Sequence, residues 1–362
     1  MLAAITSGIA SLATGPVSIA PISQPQLLYD FSESACGANF IPDAPSRLFA
    51  RSDGQMVLVA SYIDNWMMTG ASFGQLKADC HSTLPMTAYR DKVRGKLWIE
   101  GTHTADGRTI HAVASESLRT YAVSRGCDVK LPGRCWVNQL TSLVSKDGGR
   151  SFSVLGPLAS FGEEYPTGQK SRFGIFTTSN IVKRGNAWYF LAYASAGVKQ
   201  PRGNCLFRST DITDPKKWRV WDGSTFSIDP MRFERPCAST FPSSPVRSIS
   251  YLSGKKLWAS LVSDTLKLPG EARATPGFFF MTSPDLLAWT KPVRIMSALL
   301  RPRIDSRDEI WYYPSLFDPL SKSRNFETID HAEAVITFTS RRLRNGVGTL
   351  DRDLKFVRVK ID

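Results

Sequence analysis

The sequence predicts an all-β chain closed into a five-bladed β-propeller with four-stranded antiparallel blades. Three observations lead there: short apolar or alternating runs separated by tight turns, a Ser-x-Asp turn that recurs at long intervals, and no long amphipathic helical stretch.

Five runs read as strands in chain order: "MVLVASY", "KLWIEGT", "AWYFLAYAS", "KLWASLVSD" and "AVITFTS". They are rich in β-branched and aromatic residues, which suit a pleated surface, and glycine-bearing turns introduce the first four at Asp53-Gly54, Arg94-Gly95, Gly185-Asn186 and Gly254-Lys255. The turn "SKDGGRSF" (Ser145 to Phe152) supplies hydroxyl and carboxylate groups for backbone amides, two glycines for positive φ, and an aromatic ring to fold beneath it. "STDITDPKKW" and "SPDLLAW" repeat the opening and the closing aromatic, and their serines follow at 64 and 74 residues, a spacing that fits a four-stranded sheet with generous loops. Grouping the strands in fours gives units at about 40–85, 86–160, 170–228, 238–297 and 305–361. The Ser-x-Asp turns fall on outer hairpins, as structural staples, and residues at the starts of inner strands converge on the axis.

At 362 residues and 42% hydrophobic the chain can bury a large core, and a closed array makes residues 31–362 one domain. The first twenty residues carry no charge and resemble a signal-peptide core without its basic leader, so residues 1–30 are set outside the fold as a signal-like or flexible segment. They are too polar and short for a membrane span. Six cysteines favour an oxidising compartment. Cys127 and Cys135 bracket a short loop, and Cys36 with Cys80 and Cys205 with Cys237 are further pairings, among fifteen connectivities that spacing leaves open. The expected location is secreted or periplasmic. The formal charge of +13 favours an anionic partner, and without a nucleic-acid module an acidic glycan or envelope surface fits better than nucleic acid.

"SKDGGRSF" resembles the Asp-box of sialidases and related propellers at Ser145, Asp147, Gly149 and Phe152. The layout is similar to the five-bladed glycosidases that cut arabinan, xylan and fructan, in which an early blade opens with an Asp-Pro-like segment; "IPDAPSRLFARSDGQMVLVASY" has that shape from Asp43. The resemblance implies a glycoside hydrolase acting on a carbohydrate at the propeller axis. Two departures stand out. "NFIPDAP" lacks the first sialidase arginine, and "GIFTTSNIV" has no carboxylate where the five-bladed glycosidases usually carry their acid.

Hydrolysis of this kind needs two carboxyl groups, one protonated and one ionised. Asp43, held between two prolines before an inner strand, is the expected base or nucleophile, with a turn aspartate as the alternative. Glu116 in "GRTIHAVASESL" is one candidate acid, although alternation sets it on the face opposite His111, itself a substrate ligand or a core histidine. Glu100 competes, since Trp98, Glu100 and Thr102 would share a strand face and an acid beside an indole tends to keep its proton. Arg47, Arg247 and Arg341 are candidates for an arginine triad of the sialidase kind, which their spacing does not require. Trp66, Trp136, Tyr165, Trp311, Tyr312 and Tyr313 could stack on sugar faces, with Tyr313 placed at the axis. Glu163, Glu164 and Glu234 belong to loops. His81, His103, His111 and His331 share no ligand spacing, so no metal or cofactor is expected, apart from an axial ion held by backbone, which would leave no signature. Two other readings are kept: a sialidase-like exo-glycosidase using an arginine cluster, and a non-catalytic glycan- or envelope-binding propeller.

Overall fold

The computed structural model describes residues 17–62, 64–85, 94–118, 137–162, 172–195, 200–239, 244–301 and 309–362. Five antiparallel sheets succeed one another along them. The first holds Arg47–Ala50, Met56–Ala60, Asn65–Gly70 and Lys77–Leu84. The second holds Arg94–His103, Ile110–Leu118, Val137–Ser145 and Ser153–Ala159. In the third, Phe173–Thr178 and Val182–Arg184 form an interrupted inner strand, followed by Ala187–Ala194, Gly203–Ser209, Arg219–Trp221 and Phe226–Ile228. The fourth holds Val246–Leu252, Leu257–Leu266, Thr275–Ser283 and Val293–Ser297, and the fifth Glu309–Phe317, Glu333–Arg344 and Val347–Ile361. Each set lies inside the interval expected for it. Gly95, expected in a turn, lies instead within the strand Arg94–His103.

Both faces of each sheet are apolar because each packs on two neighbours. On Met56–Ala60, Leu58 turns to the fifth sheet with Phe317 and Leu354, while Val57 and Val59 turn to the second with Leu97 and Ile99. Further clusters fill the gaps between second and third, third and fourth, and fourth and fifth sheets. The ring of interfaces is therefore closed, and the architecture is a β-propeller. Gly174, at φ 107°, permits a short parallel link between the second and third sheets; a Cβ there would sit 2.0 Å from Asn138 O.

The boundary expected at residue 30 is corrected. Ile19–Pro21 and Gln26–Tyr29 pair antiparallel with Val347–Ile361, so the N-terminal segment supplies the outer edge of the last sheet. Cys36 then bonds Cys80 on the outer strand of the first sheet, tying the seam where the ring closes. Cys205–Cys237 is also formed, whereas Cys127 and Cys135 lie outside the described residues. On the chain-entropy account a bond spanning 44 residues stabilises by about 4 kcal/mol. Cys36→Ser should therefore lower the urea midpoint, with a steeper denaturant slope because the unfolded chain expands, and an unmoved midpoint would show that the seam holds without it.

Trp66 belongs to this seam. It is fully buried, with its ring centroid 4.7 Å from Tyr29, so it is core and cannot serve as the expected sugar platform. The three Ser-x-Asp turns share one geometry on the hairpin between third and fourth strands. In each, the serine hydroxyl accepts the aspartate N–H, at 3.3 Å for Asp147, 3.0 Å for Asp211 and 3.2 Å for Asp285. Phe152 and Trp218 are buried beneath the first two. No helix among the described residues is long and apolar enough to cross a membrane.

Candidate functional site

Arg47 opens the innermost strand of the first sheet, and its buried side chain lies on the axis. A guanidinium has five N–H groups, and here each finds an acceptor from a different sheet. Nη1 donates to Ser46 O at 3.1 Å and Ser315 Oγ at 3.0 Å, Nη2 to Thr178 O at 3.0 Å and Arg247 O at 2.9 Å, and Nε to Glu100 O. Every donor is consumed by the protein, so the expectation of Arg47 as a substrate ligand is corrected: it is the hub pin.

Around this pin four inner strands lose their alternation. Their registers shift between Ile99 and Gly101, Phe176 and Thr178, Val246 and Ser248, and Tyr312 and Ser315. The extra residues are Glu100, Thr177, Arg247 and, with Pro314, Tyr313. A bulge re-aims the side chain it carries, and Thr177 (φ 54°) and Tyr313 (φ 57°) are held in the left-handed region that such residues seldom occupy. The bulge at Glu100 also breaks the expected shared face. Trp98 pairs with Ser115 and Thr102 with Ala112, on opposite sides of the neighbouring strand.

Above the pin, at the end of the hub where the inner strands begin, stands Asp43, its N–H bonded to Ser61 O at 2.9 Å. Its Oδ1 accepts from the Tyr313 hydroxyl at 3.2 Å and from Arg352 Nη1. Burial, then the Asp43 charge, raises the Tyr313 pKa, so the phenol keeps the proton it donates. The Arg247 guanidinium lies 5.0 Å from the centre of the Tyr313 ring, and Arg172 lies 4.3 Å from that of Phe176. Arg172 feels the charges of Tyr313, Glu100, Arg247 and Asp43 together. Glu100 is buried on the same side, where its Oε2 accepts from the Ser115 hydroxyl and from Thr178 N–H at 2.8 Å. Desolvation raises the Glu100 pKa, with these bonds and then Arg247 and Arg172 opposing. Two carboxyl groups in unlike surroundings thus lie within electrostatic reach of Arg172, Asp43 ion-paired with Arg352 and Glu100 shifted toward its neutral form. Tyr62 extends the rim, with Lys96 Nζ 5.0 Å and the Arg352 guanidinium 5.8 Å from its ring centre.

Of the residues expected here, Asp43, Glu100, Arg247, Tyr313 and Tyr312 are brought together, the last with its ring centre 5.7 Å from that of Tyr313. Glu116 is not. It shares a face with Ala112 and Ala114, turned to the first sheet, where its carboxylate accepts from Gln139 Nε2 at 2.8 Å and from the Thr141 hydroxyl. The backbone of its own sheet separates it from Glu100. Arg341 spends two donors within its own hairpin, on Thr349 O at 2.6 Å and Gly348 O at 2.7 Å, next to Tyr312. Trp311 packs on Phe338 in the core between the fourth and fifth sheets. Glu234 is exposed, 3.8 Å from Arg232, while Trp136, Tyr165, Glu163 and Glu164 lie outside the described residues. Sequence reasoning missed Arg172 and Arg352; Arg172 immediately precedes an inner strand, the position that singled out Asp43, but Arg352 lies on a strand further from the axis and carries no such signal.

His111 lies at the other end of the hub, opposite His103 in the strand register, so it is not part of the Asp43 cluster. Burial chiefly, with His111 and Lys183 adding, pulls the His103 pKa from 6.5 down to about 4. The unfolded chain takes up a proton between those values and the folded chain does not, so stability falls as pH drops through this window, by up to about 3 kcal/mol. His103→Gln should remove that loss, read as urea midpoints at pH 7 and pH 4.5; an equal loss in the variant would assign it elsewhere. Among the described residues no three His, Cys, Asp or Glu side chains group as metal ligands.

No family model matches this sequence, and no curated protein matches it. Solved structures do. A family 117 glycoside hydrolase from the marine bacterium Zobellia galactanivorans superposes with a TM-score of 0.55 at 11% identity, over 96% of this chain and 90% of that one. The catalytic domain of the Coprinopsis cinerea family 62 α-L-arabinofuranosidase gives 0.50 at 10% identity, over 92% and 95%. The Podospora anserina α-L-arabinofuranosidase solved with cellotriose gives the same figures, 0.50 at 10% identity over 92% and 95%. At these identities the likeness is one of fold: the chain shares the β-propeller architecture of these glycoside hydrolases.

Proposed function

We propose that the protein is an exported glycosidase that cleaves a glycosidic bond in the cleft between Asp43 and Glu100. The observation that carries this reading is the pair of carboxyl groups in contrasting surroundings, joined through Arg172 at the start of the inner strands. Glu100, whose pKa burial raises, is the group that gives its proton to the departing oxygen. Asp43, oriented by Tyr313 and Arg352, takes a proton from water or attacks the anomeric carbon. The propeller fold shared with glycoside hydrolases supports the reading as an analogy of architecture. The two disulfides among the described residues agree with an exported protein.

A second reading concerns the sugar. Arg172, Arg247 and Arg352 crowd a cleft whose carboxyl groups are Asp43 and Glu100, so its field favours a glycan that brings a carboxylate of its own. A panel of aryl glycosides and polysaccharides, neutral pentosides beside uronides and sialosides, tests both. Turnover of an acidic glycoside supports the full reading, and turnover of neutral pentosides alone keeps the hydrolase but removes the acidic sugar. Saturable binding without turnover across the panel would make this a carbohydrate-binding propeller.

A further inference from the structure

The inner strands end, away from Asp43, on a second concave surface that the proposed hydrolysis does not use. The path of the chain places it there: Asp43 precedes Arg47–Ala50, whereas Ala50 N–H bonds Arg324 O at the strand's far end. A cleft of about 730 Å3 there is lined by His103, His111, Lys183, Trp188 and Arg324, among others. A second cleft of about 380 Å3 shares Lys183 and Glu327 with it and adds Arg184, Tyr251 and Lys256. Together they form one groove running from the second sheet to the fourth.

Its chemistry is uneven in a way that specifies an occupant. Lys183, Arg184, Lys256, Lys322 and Arg324 are all exposed along it, against two carboxyl groups, Asp106 and Glu327. Lys183 Nζ stands 5.0 Å from the Trp188 ring centre, and Tyr251 packs on Trp258 with ring centres 4.9 Å apart. His103, 7% exposed, meets the Trp188 ring edge-on at 6.2 Å. Nδ1 of His103, Nδ1 of His111 and Nε1 of Trp188 are buried without a hydrogen-bond partner among the described residues. The cationic side chains along the groove thus stand beside aromatic rings, a combination that suits a flat, anionic ligand.

We propose that this groove is a non-catalytic binding site for an acidic polysaccharide chain of the uronate type. Sugar faces lie along Trp188 and Tyr251, and the exposed lysines and arginines meet the carboxylates. Asp106 and Glu327 disfavour the denser charge of a nucleic acid, which makes duplex DNA the informative competitor.

The full chain is run in native gels containing polygalacturonate, neutral arabinan or no polymer, and titrated with polygalacturonate and with a short DNA duplex. The expected result is retardation by polygalacturonate that weakens as salt rises, with at least a tenfold loss of affinity in Lys183→Glu and Lys256→Glu, both at exposed positions, and in Trp188→Phe. Asp43→Asn should bind polygalacturonate as the wild type does, and Lys183→Glu should leave turnover of small aryl glycosides unchanged, so this site and the hydrolytic one succeed or fail separately. Absence of retardation, undiminished affinity in the two lysine variants, or tighter binding of the duplex than of polygalacturonate would overturn the proposal.

Discussion

Arg47→Met should leave a protein that does not fold to a stable state. The substitution strands Ser46 O, Glu100 O, Thr178 O, Arg247 O and Ser315 Oγ, one acceptor from each of the five sheets, at a buried axis. Each buried acceptor left unmade costs about 1–3 kcal/mol, so together they reach the size of an ordinary domain's whole stability, roughly 5–15 kcal/mol. Arg47→Lys should fall between, because an ammonium carries three donors on one atom and cannot span the same ring. Soluble yield and urea denaturation check this, and a methionine variant as stable as the wild type would refute the role of the pin. The cost of keeping the charge there is visible in its own titration: burial, only partly offset by Glu100, pulls the guanidinium pKa down to about 9.

Asp43→Asn should lower kcat by about 10³-fold on any glycoside the protein cleaves, because in the proposed mechanism it removes the group that activates water or forms the new bond. The amide can still accept from Tyr313, so the circular dichroism spectrum should not change. Glu100→Gln should also cost activity, with a different signature. It should be most severe for substrates with poor leaving groups and mild for dinitrophenyl glycosides, which depart without a proton. In the proposed mechanism the working form of Glu100 is the protonated one. Its pKa is raised by burial, so the rate should hold to higher pH than an ordinary carboxyl allows and then decline as pH rises through the shifted value. Glu100→Gln should lack that basic limb. Activity that survives both substitutions would place the chemistry on other groups.

Much of the architecture was legible in the chain. The strand runs, their grouping into five units and the staple turns all rest on local signals: period-two patterning, glycine turns, and serine and aspartate side chains that bond their own backbone. Both disulfides among the described residues joined cysteines that spacing had paired only as alternatives. Asp43 was readable because it stands just outside a strand, in a segment fixed by prolines, where no alternation governs its direction. Trp66 and His111 were misplaced for one shared reason. Aromatic and imidazole side chains look the same in sequence whether they face a cleft or a neighbouring sheet, and only the packing partner tells them apart: Tyr29 for Trp66, and the His103 strand end for His111.

What the sequence by itself determined is therefore the set of strands and turns, the apolar faces that force five sheets into a ring, and one aspartate at the ring's mouth. Tertiary structure alone decided which side chains face that mouth. Glu100, Arg247 and Tyr313 reach the Asp43 cluster through bulges in otherwise regular inner strands, and Arg47 turns inward to satisfy carbonyls contributed from about 200 residues of chain. A bulge shifts the face of every residue after it while leaving composition and periodicity almost untouched. Its position is set by what the neighbouring sheets demand at the axis, and that demand exists only once the ring has closed.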